Sequence, residues 1–126
     1  MKLLCTLLFI VSAAALIHPQ DRPKHEEDAC CCTTYDTNVC LSKVLDKLDV
    51  ELTKAFQAAL KDAENPKQLK KSQEFWIAYR DAQCQAESDQ YKGGTIAPQV
   101  NGFCHARITR QRIAELTSEH FTGGTR

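Results

Sequence analysis

Residues 40–63, CLSKVLDKLDVELTKAFQAALKDA, decide the fold class of this chain. Their apolar side chains recur at spacings of three and four, which places them on one stripe of an α-helix. The stripe comprises Leu41, Val44, Leu45, Leu48, Leu52, Ala55, Phe56 and Ala59. We expect Asn38 to cap the start of this helix. Pro66 ends it after Ala63, because proline lacks an amide donor and disfavours helical geometry in the residue before it.

A second helix follows, and the short connection makes it antiparallel to the first. Its predicted inward residues are Leu69, Ser72, Phe75, Trp76, Tyr79, Ala82 and Gln83. Its predicted outward residues are Lys67, Lys70, Lys71 and Glu74. The consecutive glycines Gly93 and Gly94 interrupt the pattern, because glycine ends helices and permits positive φ.

A third helix is predicted to start after Pro98 and to run to about His120. Its apolar residues do not share one stripe, so we expect a bend or contacts on two sides. No stretch shows the alternation typical of a β-sheet. The predicted fold is therefore all-α, a small three-helix arrangement of an antiparallel hairpin and a third helix, with disulfides.

The N-terminal residues have the pattern of a signal peptide. Lys2 precedes an apolar run over residues 3–16, and small residues stand at 13–15. A membrane anchor is the alternative, but spanning a bilayer takes roughly 20 apolar residues. Cys5 lies too near the start to be a lipoprotein cysteine. We expect a signal peptide at 1–20, a flexible leader at 21–31, a helical domain at 32–120 and a tail at 121–126, in a secreted or periplasmic protein.

Charge and cysteine content fit export. The chain carries 16 basic and 16 acidic residues, so no strong field draws it to nucleic acid or to an anionic membrane. Of its seven cysteines, those that remain after loss of Cys5 are even in number and indicate a disulfide framework. We predict a Cys84–Cys104 bond across the glycine loop and a Cys32–Cys40 bond. A Cys40–Cys84 bond is the main alternative, because the hairpin places these two residues at the same end.

The motifs of metal sites and of catalysis are missing from the sequence. The cysteines at 30–32 and 40 lack the C-x₂₋₄-C spacing of zinc sites. The chain contains no G-x-S-x-G, no P-loop and no H-E-x-x-H. We therefore predict no metal, no cofactor and no enzymatic activity.

One set of residues resembles a known family. The set comprises Trp76-Ile77-Ala78-Tyr79-Arg80-Asp81-Ala82-Gln83-Cys84, then Gly93-Gly94-Thr95-Ile96-Ala97-Pro98, then Cys104, Thr109 and Arg112. From about Cys32 to Leu116 the chain resembles the LprI-type family, small exported bacterial domains named after a lysozyme inhibitor. The resemblance implies a secreted binding protein that inhibits a lysozyme-type muramidase by blocking its active-site cleft. The alternative is an envelope-associated or extracellular structural domain without inhibitory activity.

The candidate site residues fall into two groups. The partner-binding candidates are the loop residues Gly93, Gly94, Thr95 and Ile96, whose other role is to turn the chain between two helices. The structural candidates are Trp76, Tyr79, Arg80, Asp81 and Arg112. Adjacent helical residues point about 100° apart, so Arg80 and Asp81 are expected to pair with other helices, for example with Glu115 and Arg112.

Processing is testable on the exported protein. Because small residues stand just before the end of the apolar run, the mature chain is expected to begin between Ala14 and Asp21. Intact-mass analysis measures the mature N-terminus directly. Retention of Met1 on the exported protein would contradict the signal peptide.

Overall fold

The computed structural model describes residues 33–118, which form three α-helices. Helix α1 spans Thr34–Asp62, α2 spans Pro66–Asp89 and α3 spans Ala97–Leu116. This part of the chain contains no β-strand. The prediction of an all-α, three-helix fold is confirmed. The predicted signal peptide, leader and tail, and Cys32, lie outside the described residues.

The starts of α1 and α2 follow from side-chain caps. Thr33 precedes α1, and its hydroxyl oxygen accepts a hydrogen bond of 3.1 Å from the Asp36 amide. The prediction of Asn38 as the cap was wrong, because Thr33 satisfies the first amides of α1 before the apolar stripe begins. At the start of α2, the Asn65 side chain accepts a hydrogen bond of 3.1 Å from the Gln68 amide. Pro66 occupies the first turn, where an amide has no partner within the helix and its absence costs no hydrogen bond.

Helix α3 lies between the other two. It packs against both α1 and α2, whereas α1 and α2 contact one another much less. The expectation of contacts on two sides of α3 is thereby confirmed. The helix begins at Ala97 and ends at Leu116, so Pro98 stands in its first turn and the predicted end near His120 was wrong. A hydrogen bond of 3.4 Å from the Gln99 side chain to the Thr34 carbonyl joins the starts of α3 and α1.

The core consists of three clusters of buried residues. At the closed end of the hairpin, all three helices meet through Leu52, Ala55, Ala59, Leu69 and Leu116. Towards the open end, α1 and α3 meet through Val44, Leu48 and Ala106. On the other side of α3, its contact with α2 comprises Cys84, Cys104 and Ile108. Helix α3 therefore fills the space where α1 and α2 diverge.

The rotation of α2 differs from the sequence prediction. Its buried residues are Leu69, Gln73 and Cys84. Phe75 and Tyr79, predicted to face inward, are 65% and 57% exposed, and Ala82 is exposed too. The prediction assumed that the most apolar stripe of α2 faces the core. The disulfide from Cys84 to α3 instead turns the line of residues 73, 76, 80 and 84 inward, because these lie three or four positions apart.

No helix among residues 33–118 is long and apolar enough to cross a membrane.

Gly102 of α3 lies against the Leu41 side chain of α1. A Cβ atom built at this position would lie 3.0 Å from Leu41 Cγ and still closer to Leu41 Cδ2. Leu41 is buried, so its side chain has no free space into which it can move. Glycine is therefore required here for packing rather than for an unusual backbone angle.

Gly102→Val is expected to lower the free energy of unfolding by about 1–3 kcal/mol, because it overpacks the contact with Leu41. Ala114→Val places the same side chain at an exposed position of α3 and is the matched control. Urea unfolding followed by circular dichroism measures both variants. Equal stability of the two variants would show that α1 and α3 accommodate a larger residue at this contact.

Candidate functional site

The connection between α2 and α3 forms an exposed loop, residues 90–96, which we call the glycine loop. Every residue in it is exposed. Gly93 has φ of 86°, a left-handed conformation that side chains rarely adopt. At Gly94 a Cβ atom would lie 3.2 Å from the Tyr91 carbonyl oxygen. The two glycines are therefore needed for the path of the turn.

The glycine loop is held by its own backbone. Amides of Tyr91, Lys92 and Gly94 donate to carbonyls three residues earlier, at 2.9, 3.2 and 2.9 Å. The Ala97 amide donates to the Gly94 carbonyl at 3.4 Å. At the base, the Ser88 hydroxyl donates to the Ala97 carbonyl at 3.0 Å. These bonds brace the backbone of the loop against both flanking helices.

The Cys84–Cys104 disulfide joins α2 and α3 below the loop. Both cysteines are fully buried and their Cα atoms are 5.4 Å apart. Closing a loop of about 20 residues stabilises a fold by roughly 3 kcal/mol in the chain-entropy model. Cys40 is also disulfide-bonded. The alternative bond from Cys40 to Cys84 is absent, since Cys84 is joined to Cys104, and the predicted Cys32–Cys40 bond involves a residue outside the described part.

A charged bridge supports the same end of the structure. Arg107 of α3 donates to the Glu87 carboxylate of α2 at 2.7 Å, and the Gln83 amide donates to that carboxylate at 3.0 Å. The hydrogen bond from Gln83 and the positive charge of Arg107 lower the pKa of Glu87. The carboxylate is thus held ionised between two donors.

The exposed tip of the glycine loop carries apolar and polar groups side by side. Tyr91 and Ile96 are 49% and 48% exposed. Thr95 and Lys92 are exposed between them. The Gly94 amide is engaged with the Tyr91 carbonyl. Sequence reasoning found Thr95 and Ile96 but missed Tyr91 and Lys92, although both stand directly before the glycine pair.

At the contact between α2 and α3, the Trp76 ring lies close to two arginine side chains. Its ring centroid is 5.1 Å from the Arg80 guanidinium carbon and 5.9 Å from that of Arg112. Arg112 is buried, and donates to Gln73 at 3.0 Å, to Glu115 at 3.0 Å and to Ser72 at 3.3 Å. Within residues 33–118 every buried side-chain nitrogen and oxygen has a hydrogen-bond partner. A buried guanidinium without partners would be strongly destabilising, so this network holds α2 and α3 in register.

The ion pairs of Arg80 differ from those expected. Its Nε donates to the neighbouring Asp81 at 3.1 Å, a pair that we had excluded because adjacent helical residues diverge. The long, flexible arginine side chain reaches across the angle between the two residues. Arg80 also donates to Thr109 of α3 at 3.4 Å and lies 4.0 Å from Asp49 of α1. The expected pairs of Arg80 with Glu115 and of Asp81 with Arg112 were wrong, since Glu115 is paired with Arg112.

Of the five residues predicted as structural, Tyr79 does not lie in the interior as expected. Its side chain is exposed on the outer face of α2 rather than buried beside Trp76. Trp76 itself is half-buried and packs against two of the core clusters. In residues 33–118 no three His, Cys, Asp or Glu side chains are arranged to hold a metal ion. The described residues thus comprise a fully exposed glycine loop and, below it, a contact between α2 and α3 that buries Gln73, Thr109 and Arg112.

Within residues 33–118, His105 is a partly buried histidine close to Arg80, Asp81 and Asp49. Burial lowers its pKa, and the positive charge of Arg80 lowers it further, while Asp81 and Asp49 oppose the shift. The folded state therefore favours the neutral imidazole. Stability from this source is present above the ordinary histidine pKa of about 6.5 and is lost as the pH falls through the folded value.

His105→Gln is expected to reduce the loss of stability on acidification. The wild-type protein should have a lower free energy of unfolding at pH 5 than at pH 7.5, and the variant should lose less, because it has no imidazole to protonate beside Arg80. Urea titrations of both proteins at the two pH values measure this difference. An equal loss in both proteins would show that His105 does not contribute.

Comparisons with known proteins identify the family of this chain. The family model described as Lysozyme inhibitor LprI matches residues 28–116, which include all three helices, the glycine loop and the Cys84–Cys104 bond. An uncharacterized protein of Rhizobium meliloti (strain 1021) is 32% identical over a region that covers 64% of this chain and 69% of the relative. No solved structure matches. The matched residues make up well over half of this chain, and the chain therefore belongs to the lysozyme inhibitor LprI family.

Proposed function

We propose that this protein is exported and inhibits a lysozyme-type muramidase by placing the glycine loop in the enzyme's active-site cleft. Membership of the lysozyme inhibitor LprI family supports the class of target. The observation that carries the mechanism is the loop itself, fully exposed yet held by its own backbone hydrogen bonds above a buried disulfide. A binding segment that is already ordered loses little conformational entropy when it binds.

The chemistry of the loop tip suits such a cleft. Glycosidases of this type carry two carboxyl groups in a concave site that binds sugar rings. The Lys92 ammonium and the Thr95 hydroxyl are exposed donors for carboxylates. Tyr91 and Ile96 supply apolar surface on either side of them. Because the Gly94 amide is already engaged, the side chains are the donors and the glycines serve to set the turn.

Thr95→Ala and Ile96→Asp are expected to weaken inhibition, the second by about tenfold or more, because it places a carboxylate among the enzyme's own. Val50→Asp is the matched control, since it introduces the same charge at an exposed position of α1. A turbidity assay with purified mature protein and a lysozyme measures potency. Helicity and the melting midpoint should stay nearly unchanged in all three variants, because exposed substitutions usually alter stability by less than about 0.5 kcal/mol.

Trp76→Ala separates lost binding from lost structure. It removes a ring that contacts two core clusters and both arginines, so it is expected to lower stability by about 3 kcal/mol and to reduce inhibition only through unfolding. If both loop variants keep full potency, the binding surface lies elsewhere, and outward residues such as Lys70 and Glu74 are tested next. If the intact protein inhibits none of several muramidases, the inhibitor proposal fails and a structural role in the envelope remains.

A further inference from the structure

Helix α2 carries an apolar stripe that no other part of residues 33–118 covers. Its members, all exposed, are Phe75, Ala78, Tyr79, Ala82 and Ala86, which we call the aromatic–alanine stripe. Spacings of three and four place them on one side of the helix. Phe75 and Tyr79 are 65% and 57% exposed, so two large rings stand in solvent beside a row of small residues. Covering such a patch removes apolar area from water and favours association.

Charges mark the two ends of this stripe. Lys71 lies at its N-terminal end, with its ammonium nitrogen 5.7 Å from the centroid of the Phe75 ring. Asp89 lies at its C-terminal end, where its carboxylate accepts a hydrogen bond of 2.8 Å from Gln85. The two residues are 18 positions apart, which is about five turns of helix, so they lie on the same side of α2. The stripe is therefore basic at one end and acidic at the other.

We propose that two copies of this chain associate through the aromatic–alanine stripe, with the two α2 helices antiparallel about a twofold axis between Tyr79 and Ala82. A twofold interface brings each residue opposite the one equally far beyond the axis, so the surface must complement itself. Here Phe75 meets Ala86 of the second copy, and Tyr79 meets Ala82. A large side chain thus faces a small one along the stripe, which allows close helix packing.

The charges agree with the same arrangement. In the antiparallel pair, Lys71 of each copy lies beside Asp89 of the other, on the same side of the interface. A parallel pair would instead place Lys71 beside Lys71 and Asp89 beside Asp89. Opposite charges at both ends therefore favour the antiparallel pair and disfavour the parallel one.

The first experiment measures mass against concentration. Light scattering on the purified mature chain is expected to show a reversible rise from the monomer mass towards twice that value. Tyr79→Glu is expected to keep the protein monomeric at every concentration, because it places like charges at the twofold axis. Val50→Glu, at an exposed position of α1, is the matched control and should dimerise like the wild type. A wild type that stays monomeric, or a Tyr79→Glu variant that still dimerises, overturns the proposal.

The second experiment tests the direction of the helices. Lys71→Glu and Asp89→Lys are each expected to weaken dimerisation about tenfold, because each places like charges together at both ends of the interface. The double variant is expected to restore it to within about twofold of the wild type. Within one chain the two residues are about 27 Å apart, so a rescue must act between copies. Failure of the double variant to regain dimerisation rejects the antiparallel pair.

The muramidase assay distinguishes this surface from the glycine loop. The dimer proposal expects Tyr79→Glu to leave inhibition within about twofold of the wild type, because the loop is unchanged. If Tyr79→Glu abolishes inhibition while the wild type is monomeric, the stripe binds the enzyme instead and the dimer proposal is wrong. A wild type that dimerises but inhibits no muramidase leaves the dimer intact and rejects only the proposed function.

Discussion

The bond between Cys84 and Cys104 is the constraint from which most features of α2 follow. A helix can pack on its neighbour in many rotations, but a covalent link from one buried position selects a single one. Residues 73, 76 and 80 lie on the same side as Cys84 and are therefore turned towards α3. The apolar residues on another side of the helix, including Phe75 and Tyr79, are left in solvent. The same bond closes the base of the glycine loop.

The contact between α2 and α3 that this rotation creates buries three polar residues, Gln73, Thr109 and Arg112. It places Trp76 between the guanidinium groups of Arg80 and Arg112, where ring and cation attract one another. Gln73 and Ser72 supply the oxygen atoms that Arg112 needs once it is buried. Such a network has few alternative arrangements, because each donor must meet its acceptor. The polar contact between α2 and α3 thus defines their register, while the apolar clusters supply the burial that drives folding.

The two exposed surfaces of the molecule have different origins. The glycine loop is ordered by local bonds between residues 88 and 97, together with the left-handed conformation of Gly93. The aromatic–alanine stripe exists because the disulfide directs the other side of α2 inward. The loop lies at the open end of the hairpin and the stripe runs along α2.

The sequence by itself determined the elements whose causes are local. The three-and-four spacing along α1, the proline after Asn65 and the glycine pair specify where helices form and break, because these effects act within a few residues. It also indicated the position of the exposed loop and the Cys84–Cys104 bond. Even here the start of α1 was misjudged, since Thr33 and Asn38 are both good caps and only the packed chain shows which one is used.

Only the tertiary structure decided which side of α2 faces inward and which charges pair. Hydrophobic periodicity assumes that the most apolar stripe is buried, and α2 departs from this because its disulfide and the buried Arg112 require the more polar side. The approach of Arg80 to Asp49, and the hydrogen bonds from Arg112 to Gln73 and Ser72, depend on helices brought together from distant parts of the chain. The need for a small residue at Gly102 also depends on the tertiary structure, because it arises from contact with Leu41 on another helix. These are long-range contacts, and spacing along a single helix carries no information about them.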